Sequence, residues 1–465
     1  MLARSRLMLA LLATLPWGVA SAASPLEEPS ATTLDTVRVT VQKREEAVTD
    51  VPWSLTTFDA EALDRLRVKG INDAVRLAPN TFFSGSSGVN SLTMRGVGGG
   101  GRNIGFDPRV GVYLDGVYVG QAQALTMPWL DLEQAVFLRG PQGHLFGRNS
   151  VAGAVVLTSM PPTDSFEGNA RLATGSRGLV EGSAVVSGAL ADDWSARAVV
   201  SHDRQDGYLH NRFNGQELGG MERSSGRASL RWAPSEQLEV TLAVDGGRLR
   251  QDIPYGQPQT DFFGFPLLGE PLGKREVNIN GRPFLELRTG GVSLSAQYHA
   301  FGGGTLTSIT SRRSTRQERQ NDMDYSPADI VGLRYDDRFS QTSQELRWAS
   351  AEDEDEDMRY VVGVYAARED ARTQRYIDVG QDMGALVPMT GYPVRLPFGL
   401  AFGVKPGLAQ ASSLGQLRTD TAAVFGSVDW DLSDRWTAEL GARYTWEKKD
   451  LAMQLDGSGS GALRV

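Results

Sequence analysis

The stretch WTAELGARYTW, residues 436–446, alternates between two kinds of side chain along its whole length. Successive side chains of a β-strand point to opposite faces, so the alternation predicts a strand with one apolar and one polar face. The apolar face would carry Trp436, Ala438, Leu440, Ala442, Tyr444 and Trp446. The polar face would carry Thr437, Glu439, Gly441, Arg443 and Thr445.

The same alternation recurs from Phe166 onward, and we count eleven such tracts in all. Short turns and long polar connections follow each other between them, which is the arrangement of strands in an outer-membrane barrel. The other ten tracts lie near 168–174, 180–188, 194–200, 227–233, 238–244, 292–300, 305–311, 340–348, 358–366 and 424–430. The short turns fall at 191–193, 233–237, 302–304, 352–357 and 431–434, and the long connections near 204–223, 249–290, 317–338 and 371–419.

Large aromatic side chains lie beside the short turns, where a transmembrane barrel has an interfacial girdle. They are Trp194, Trp232, Tyr298, Trp348, Tyr360, Trp430 and Trp436. The alternative, a soluble β-sandwich, would not require an aromatic residue at one end of nearly every hairpin. The pattern favours a mainly β chain whose residues 161–465 are antiparallel transmembrane barrel strands.

The composition excludes several classes of protein. The 465-residue chain has 53 glycines, no cysteine and a formal net charge of −9. It therefore has no disulfide or thiolate metal site, and it lacks the basic footprint of a general nucleic-acid binder. Its four histidines have no metal-site spacing, and no Ser/His/Asp order or paired-acid motif stands out. We expect no catalytic residue, no metal site and no enzymatic activity.

The N-terminus has the pattern of a secretory signal peptide. Arg4 and Arg6 precede an apolar run and a small-residue cleavage site that ends at Ala22. Residues 1–22 are predicted to be removed on export. Residues 23–50 then form a flexible arm ahead of the first folded domain.

A short extended segment lies within this arm. Val37 and Val39 alternate with Arg38 and Thr40, which is typical of a strand. An extended segment on a flexible arm can be captured by strand addition to the sheet edge of another protein. A plain linker is the alternative.

Residues 51–160 predict a compact α+β domain. Asp59 is placed to cap a helix in AEALDRLR, and INDAVRLAP predicts a second helix that stops at Pro79. The sequence VYLDGVYVG has the two-residue turn signal Asp115-Gly116 of a β-hairpin. Glycine-punctuated strands account for the rest of the domain.

Two glycine-rich stretches in this domain do not fit nucleotide binding. AVFLRGPQGHLFGRNSVAGAVVLTS, residues 135–159, has two strand-like runs around a glycine-rich turn, without the lysine or helix of a phosphate loop. Gly96, Gly98 and Gly101 match a dinucleotide-binding spacing, but Pro108 and a strand follow where a helix is required. Both stretches are therefore predicted to be structural.

With these parts in place, the chain resembles the family of TonB-dependent outer-membrane receptors, of the siderophore-receptor type. The resemblance covers nearly the whole mature chain and lies in DTVRVT with QKREE, LTMRGVG, VGVYLDGVYVG, VFLRGPQGHLFGRNSVAGAVVLTS, SQELRW and GARYTWEKK. It implies a globular plug inside a large barrel that imports a scarce solute across the outer membrane of a Gram-negative bacterium. It also implies that the TonB complex transmits the inner-membrane proton gradient through Asp35, Thr36, Val37, Arg38, Val39 and Thr40.

The resemblance assigns a structural role in the plug to a set of arginines, glycines and one proline. Arg95 and Arg139 match plug arginines that pair with barrel glutamates in some relatives, and we expect Arg139 to face the wall. Glu345 and Glu439 point into the lumen by alternation, with neither assigned as a partner. For Arg148 a solvated surface position is an equal alternative. The set is Arg95, Gly96, Arg139, Gly140, Pro141, Gly143, Gly147 and Arg148.

The implied solute is a ferric siderophore, which would carry the iron itself, so no cofactor on the protein is expected. Vitamin B12 and oligosaccharides are alternatives, and so is a non-functional truncated receptor fragment. Aromatic and arginine side chains suit an anionic chelate held between plug and barrel loops. The candidates are Arg102, Asn103, Phe106, Gln121, Gln123, Tyr208, Tyr255 and Phe262, each with ordinary loop surface as the alternative.

Two other classes fit the sequence less well. A passive porin would lack residues 34–160, and a surface adhesin would not need the coupling segment. The expected partners are the TonB complex, outer-membrane lipid and a small-molecule chelate, with no nucleic acid. The full-length receptor is expected to be a monomer.

Two departures from the family are apparent. His144 stands where small or polar residues are common, which is expected to change little. Import barrels of this class have about 22 strands, whereas eleven are predicted here, and the ending DGSGSGALRV lacks a terminal aromatic strand. We expect half of the barrel to be missing, so that the 465-residue product alone would not form a working monomeric transporter.

Overall fold

The computed structural model describes residues 38–39, 43, 46–49, 51–86, 89–99, 107–253, 256, 272–300, 303–351, 357–382, 409–433 and 435–456. Strands dominate these ranges, and the few helices are short. None of the helices within them is long and apolar enough to cross a lipid bilayer.

The N-terminal part is an α+β plug. A five-stranded sheet has the order β3-β9-β10-β7-β8, a three-stranded sheet has the order β4-β5-β6, and β1 pairs with β2. The strands are β1 (Arg38–Val39), β2 (Glu46–Ala47), β3 (Ser54–Asp59), β4 (Thr81–Ser86), β5 (Val89–Met94), β6 (Val97–Gly98), β7 (Val110–Leu114), β8 (Val117–Tyr118), β9 (Leu132–Arg139) and β10 (Gly153–Ser159). The helices are α1 (Ala60–Arg65), α2 (Ile71–Ala74), a 3-10 helix (Ala122–Thr126) and α3 (Gly143–Phe146).

Two local sequence signals in the plug are confirmed, whereas the second predicted helix is shorter than expected, since α2 ends at Ala74 rather than at Pro79. The Asp59 carboxylate accepts a hydrogen bond from the Ala62 amide at 2.7 Å and so caps α1. Asp115 and Gly116 have φ of 49° and 78°, the left-handed conformation that a two-residue hairpin turn requires. This turn joins β7 to β8.

The stretch 135–159 forms the centre of the plug. β9 and β10 pair antiparallel, and Phe137 and Leu138 of β9 are fully buried. Gly153 has φ of 156°, and a Cβ there would collide with the Leu138 carbonyl oxygen, so only glycine fits. The turn between the two strands contains α3, which was not predicted because four residues give no periodic signal.

An eleven-stranded antiparallel sheet follows the plug, with every strand paired to the next one along the sheet. All eleven predicted tracts are strands of this sheet, which we call the wall. The wall strands are β11 (Glu167–Gly175), β12 (Leu179–Ala191), β13 (Trp194–Gln205), β16 (Met221–Ser235), β17 (Leu238–Asp252), β19 (Phe284–His299), β20 (Thr305–Asp322), β21 (Val331–Ala349), β22 (Met358–Val379), β23 (Ala409–Ser433) and β24 (Trp436–Asp456). The intervening short strands β14 (Leu209–Asn211), β15 (Glu217–Leu218) and β18 (Glu276–Val277) form a separate small sheet.

The two faces of the wall are as the alternation predicted. On β22, Val362 and Val364 are half exposed on one face, whereas Val361 and Glu369 are buried on the other. Two residues of the predicted aromatic girdle, Trp194 and Trp232, lie opposite each other on β13 and β16 and stack with ring centroids 5.8 Å apart. The apolar face is therefore the outer, lipid-facing surface, and the polar face looks toward the plug.

Most wall strands are longer than predicted. β22 runs to Val379, although the apolar alternation ends near residue 366. The backbone pairing continues while the outward side chains become charged, so hydropathy alone marks only the part of each strand within the apolar belt. The long connections are correspondingly shorter than predicted.

The wall is open. Within the described ranges, β11 and β24 each have a single neighbour in the sheet, so the wall has two edges. A plug followed by about half of a barrel of ~22 strands confirms the predicted fold class.

Candidate functional site at the contact between plug and wall

Arg148 lies at the centre of an ion network between plug and wall. It follows α3 and forms an ion pair with Glu369 of β22, and its Nη1 lies 2.7 Å from Glu447 of β24. The same Nη1 is 3.6 Å from Asp107, which Lys449 of β24 also contacts at 2.7 Å. We call these five residues the Arg148 network.

The electrostatics of the network favour a charged guanidinium. Burial opposes the charge on Arg148, but the carboxylates of Glu369, Asp107 and Glu447 outweigh it and raise the pKa of Arg148. Arg148 was predicted either to be a structural plug residue or to lie on a solvated surface. The structure shows it in contact with the wall. Glu447 and Lys449 lie beyond the predicted tract 436–446, and the structure shows that β24 continues through them to Asp456.

The expectation for Arg139 is wrong. Its guanidinium donates to Ser54 Oγ at 3.1 Å, to Thr56 Oγ1 at 2.5 Å and to the Leu55 carbonyl at 2.9 Å. These acceptors belong to β3, which pairs with β9 and places Ser54 opposite Arg139. The side chain therefore lies along the neighbouring strand within the plug, and it forms no ion pair with a glutamate of the described wall strands.

Arg95 lies beside the same part of the plug. The Nη1 of Arg95 is 3.4 Å from the position that a Cβ of residue 140 would occupy. The pKa of Arg139 is lowered, mainly by burial and also by the positive charge of Arg95. Arg95 and Gly96, with φ of 49° and 78°, form the tight turn between β5 and β6. Pro141 then leads the chain toward α3, which Gly143 begins.

Glu345 is a wall residue that meets the arm. Lys43 Nζ lies 2.6 Å from its carboxylate and 4.3 Å from the centre of the Phe425 ring. Arg347 pairs with the same carboxylate at 2.9 Å, and burial lowers the pKa of Lys43 to about 8. The predicted lumenal position of Glu345 is confirmed, and its partner on the N-terminal side is Lys43.

The coupling segment is only partly described. The backbones of Arg38 and Val39 pair with those of Ala47 and Glu46, so this part is extended as the alternation predicted. Asp35, Thr36, Val37 and Thr40 lie outside the described residues.

His144 and two glycines form a close contact that sequence reasoning underrated. The imidazole packs edge-on against Trp53 at 5.5 Å, and its Nε2 is 3.9 Å from Glu439. A Cβ at Gly441 of β24 would collide with this ring, and one at Gly147 would lie 2.8 Å from the Arg443 guanidinium. Burial lowers the pKa of His144. Glycines thus allow α3 to approach the wall closely.

Carboxylates of the plug meet arginines on the opposite part of the wall. Asp115 Oδ2 lies 2.5 Å from Arg227 of β16 and also accepts from Ser159. Asp131 binds Arg197 of β13 through both oxygens at 2.5 and 2.7 Å. The hairpin turn found in the sequence is therefore also a plug–wall contact.

Three of the eight predicted ligand residues are described. Gln121 precedes the 3-10 helix, and Gln123 lies within it. The Arg177 guanidinium lies 5.1 Å from the centre of the Tyr208 ring. Tyr208 and Met127, the residue that follows the 3-10 helix, both contact one apolar cluster at the long-connection side of the wall. The other five, Arg102, Asn103, Phe106, Tyr255 and Phe262, lie outside the described residues.

Comparisons with known proteins agree with this architecture. Residues 47–154 match the family described as TonB-dependent Receptor Plug Domain, and residues 231–462 match TonB dependent receptor-like, beta-barrel. The pesticin receptor of Yersinia pestis is 25% identical over 408 residues, which cover 85% of this chain and 53% of that protein. The ferrioxamine receptor of Yersinia enterocolitica is 26% identical over 197 residues, covering 41% of this chain and 26% of that protein.

A solved structure shows the same fold. The crystal structure of the ferric yersiniabactin uptake receptor from Yersinia pestis superposes with a TM-score of 0.71 at 21% identity, covering 88% of this chain and 58% of that chain. The chain thus spans about half the length of the pesticin receptors that it matches. Both the plug and the wall have counterparts in these proteins.

Proposed function

Because this chain belongs to the family of TonB-dependent outer-membrane receptors, we propose that it imports a ferric siderophore with energy delivered by TonB. Members of the family are outer-membrane β-barrel proteins of Gram-negative bacteria, and this is the location of the chain. The siderophore assignment is supported by relatives named as receptors for ferrioxamine and ferric yersiniabactin.

The observation that carries the proposal is the Arg148 network. Asp107 directly follows the segment that holds the predicted ligand residues Arg102, Asn103 and Phe106. Its carboxylate contacts Arg148 of the plug and Lys449 of the wall. A ligand that draws this segment outward would weaken the contact between Asp107 and Arg148. Asp107 and Arg148, 3.6 Å apart, form an ion pair only, whereas Lys449 of the wall donates a charge-assisted hydrogen bond to Asp107 at 2.7 Å. Movement of Asp107 would therefore be felt by both plug and wall.

The arm provides the second end of the proposed pathway. Lys43 follows the coupling segment Asp35–Thr40 and is tied to Glu345 of the wall. Tension on the coupling segment would reach the β1–β2 strand pair and this ion pair before the plug domain that begins at residue 51. We propose the same domain division as predicted, with signal peptide 1–22, arm 23–50, plug 51–160 and barrel 161–465.

Uptake of radiolabelled iron tests the proposal, in cells whose receptor contains this chain within a closed barrel. Deletion of Asp35–Thr40 is expected to abolish uptake of the ferric siderophore and to leave its binding at the cell surface intact. Deletion of Ser24–Pro29, an equal length of the arm upstream, is the matched control and is expected to transport normally. Unchanged uptake after deletion of the coupling segment would contradict TonB coupling.

A second solute has one specific observation in its favour. The vitamin B12 transporter of Vibrio vulnificus is 24% identical over 243 residues, which are 50% of this chain. Competition distinguishes the two solutes, since unlabelled cyanocobalamin should leave binding of a ferric siderophore unaffected. Cobalamin uptake without iron uptake would reject the siderophore and retain the family mechanism.

A further inference from the structure

Five arginines lie side by side across five neighbouring wall strands. Arg248 of β17 is opposite Arg288 of β19, which is opposite Arg316 of β20. Arg316 is opposite Arg338 of β21, which is opposite Arg372 of β22. We call these five residues the arginine row. Strands are about 4.8 Å apart, so the row is about 19 Å long.

The arginine row is on the outer face of the wall. Side-chain exposure is 46% for Arg248, 58% for Arg288 and 51% for Arg338. Their neighbours in sequence point the other way, since Leu249 and Leu287 are almost completely buried. The row therefore takes no part in holding the plug.

The arrangement is electrostatically unfavourable on its own. Like charges directly opposite each other destabilise a strand pair. Carboxylates in the next row relieve this only in part, because Glu286 alone is shared by Arg248, Arg250 and Arg288. Arg316 pairs with Glu318 at 2.5 Å, and Asp336 is shared by Arg316 and Arg338. Among the described residues, three carboxylates thus face the five arginines of the row and Arg250. Excess positive charge remains along the row.

The position of the row along the strands matches a membrane interface. Arg288 lies ten residues from the girdle residue Tyr298 on β19, and Arg338 lies ten residues from Trp348 on β21. With a rise of about 3.3 Å per residue and a tilt of about 40°, ten residues span about 25 Å of bilayer. The girdle lies by the short turns, which are periplasmic in such barrels, so the row lies at the outer leaflet.

The surface between the row and the girdle suits lipid. The next row toward the girdle has small side chains, with Gly246 and Gly290 in register and Ser314 beside them. Below it, Val244 and Val292 begin the apolar belt on β17 and β19. A headgroup at the arginines would therefore have space beneath it and an apolar surface for its acyl chains.

We propose that the arginine row binds a phosphorylated lipid of the outer leaflet, one whose headgroup carries more than one phosphate. Guanidinium groups bind phosphate through paired hydrogen bonds, and a row about 19 Å long exceeds the width of a single phosphate. The site is independent of the imported solute. It provides a specific lipid contact on β17–β22, where the sheet would otherwise carry unbalanced charge.

The test is lipid binding to the purified receptor containing this chain, measured by native mass spectrometry in detergent. The probes are a bisphosphorylated disaccharide lipid, its dephosphorylated form and inorganic phosphate. R288Q/R316Q/R338Q is expected to weaken binding of the bisphosphorylated lipid at least about tenfold. The matched control R65Q/R67Q/R76Q removes three exposed plug arginines and is expected to bind it normally.

Two further results separate the proposal from a general charge effect. The triple lysine variant R288K/R316K/R338K retains charge without the paired geometry and is expected to bind between wild type and the glutamine variant. It also keeps the test valid if the glutamine variant fails to fold. Equal binding of the phosphorylated and dephosphorylated lipids, or equal loss in the control variant, would overturn the proposal. Inorganic phosphate binding as tightly as the lipid would also overturn it, because the site would then recognise free phosphate.

Discussion

The principal ion pairs on the two sides of the plug–wall contact have opposite polarity, with Asp107–Lys449 and Lys69–Glu181 as the exceptions. Toward β13 and β16 the plug presents carboxylates, Asp131 and Asp115, to arginines of the wall. Toward β21, β22 and β24 the N-terminal side presents cations, Lys43 and Arg148, to carboxylates of the wall. These complementary pairs favour the observed orientation of the plug against the described wall strands.

The two sides also differ in how firmly the plug residue is held. Asp115 is fixed within the plug, because its oxygens accept from the Ser159 amide at 2.8 Å and from the Ser159 hydroxyl. Arg148 stands in the loop after α3 and divides its contacts among three carboxylates. Exchange of one partner for another is possible for Arg148 and not for Asp115. We therefore expect movement to be transmitted on the Arg148 side.

The largest expected effect is reversal of charge at Arg148. R148E would place a fourth carboxylate beside Asp107, Glu369 and Glu447, and breaking such a partly buried network costs about 3–5 kcal/mol. Amide hydrogen exchange around α3 should accelerate at least about a hundredfold. The charge-swapped variant R148E/E369R should recover part of the protection. Unchanged exchange in R148E would show that the network does not hold the plug.

Neutralisation of Asp115 sharpens the comparison. D115N keeps an acceptor oxygen for Ser159 but loses the ion pair with Arg227, so a loss of about 1–2 kcal/mol is expected. Amide hydrogen exchange should become faster in the β7–β8 hairpin and remain unchanged around α3. Increased exchange at both places would show that the two sides act as one unit.

The difference between Arg139 and Arg148 marks the limit of sequence reasoning here. Eleven wall strands were predictable because alternation is a local signal that repeats over many residues. The partner of an arginine depends on which distant strand packs beside it, and alternation does not contain that information. Thus Arg139 binds β3, whereas Arg148 pairs with Glu447, a residue just beyond the predicted tract 436–446.

The same limit applies to the arginine row and to strand length. The sequence analysis placed Arg288 and Arg338 in long connections, whereas the structure extends β19 and β21 through them. Only the register shows that Arg316 lies directly between them. The ends of β22 and β23 extend past the apolar belt, where backbone pairing persists without a hydropathy signal. His144 was underrated because Gly441, which makes room for it, is almost 300 residues away in sequence.

A smaller effect is expected from truncation of Arg139. R139A removes three hydrogen bonds to β3 at a partly exposed edge of the plug, with a loss of about 1 kcal/mol. Exchange should rise in β3 and β9, while the amides around α3 and Asp107 keep their protection. R148A is the matched variant and should give the opposite pattern. Loss of protection around α3 in R139A would mean that Arg139 supports the wall contact after all.

The smallest expected effect is a pH dependence of arm docking through Lys43. The pKa of Lys43 is about 8 when it is docked against Glu345, whereas a free lysine has its pKa near 10.5. Between these two values the undocked arm binds more protons than the docked arm, so docking becomes more favourable as the pH rises from about 8 toward 10.5. Below pH 8 both states are protonated and docking should be independent of pH. Protease cleavage of the arm, compared at pH 7, 8 and 9.5, measures this, and K43M should show no change beyond that of the protease itself. Faster cleavage of the wild-type arm at pH 9.5 would reverse the sign and show that the charge–charge attraction to Glu345 dominates over the burial of Lys43.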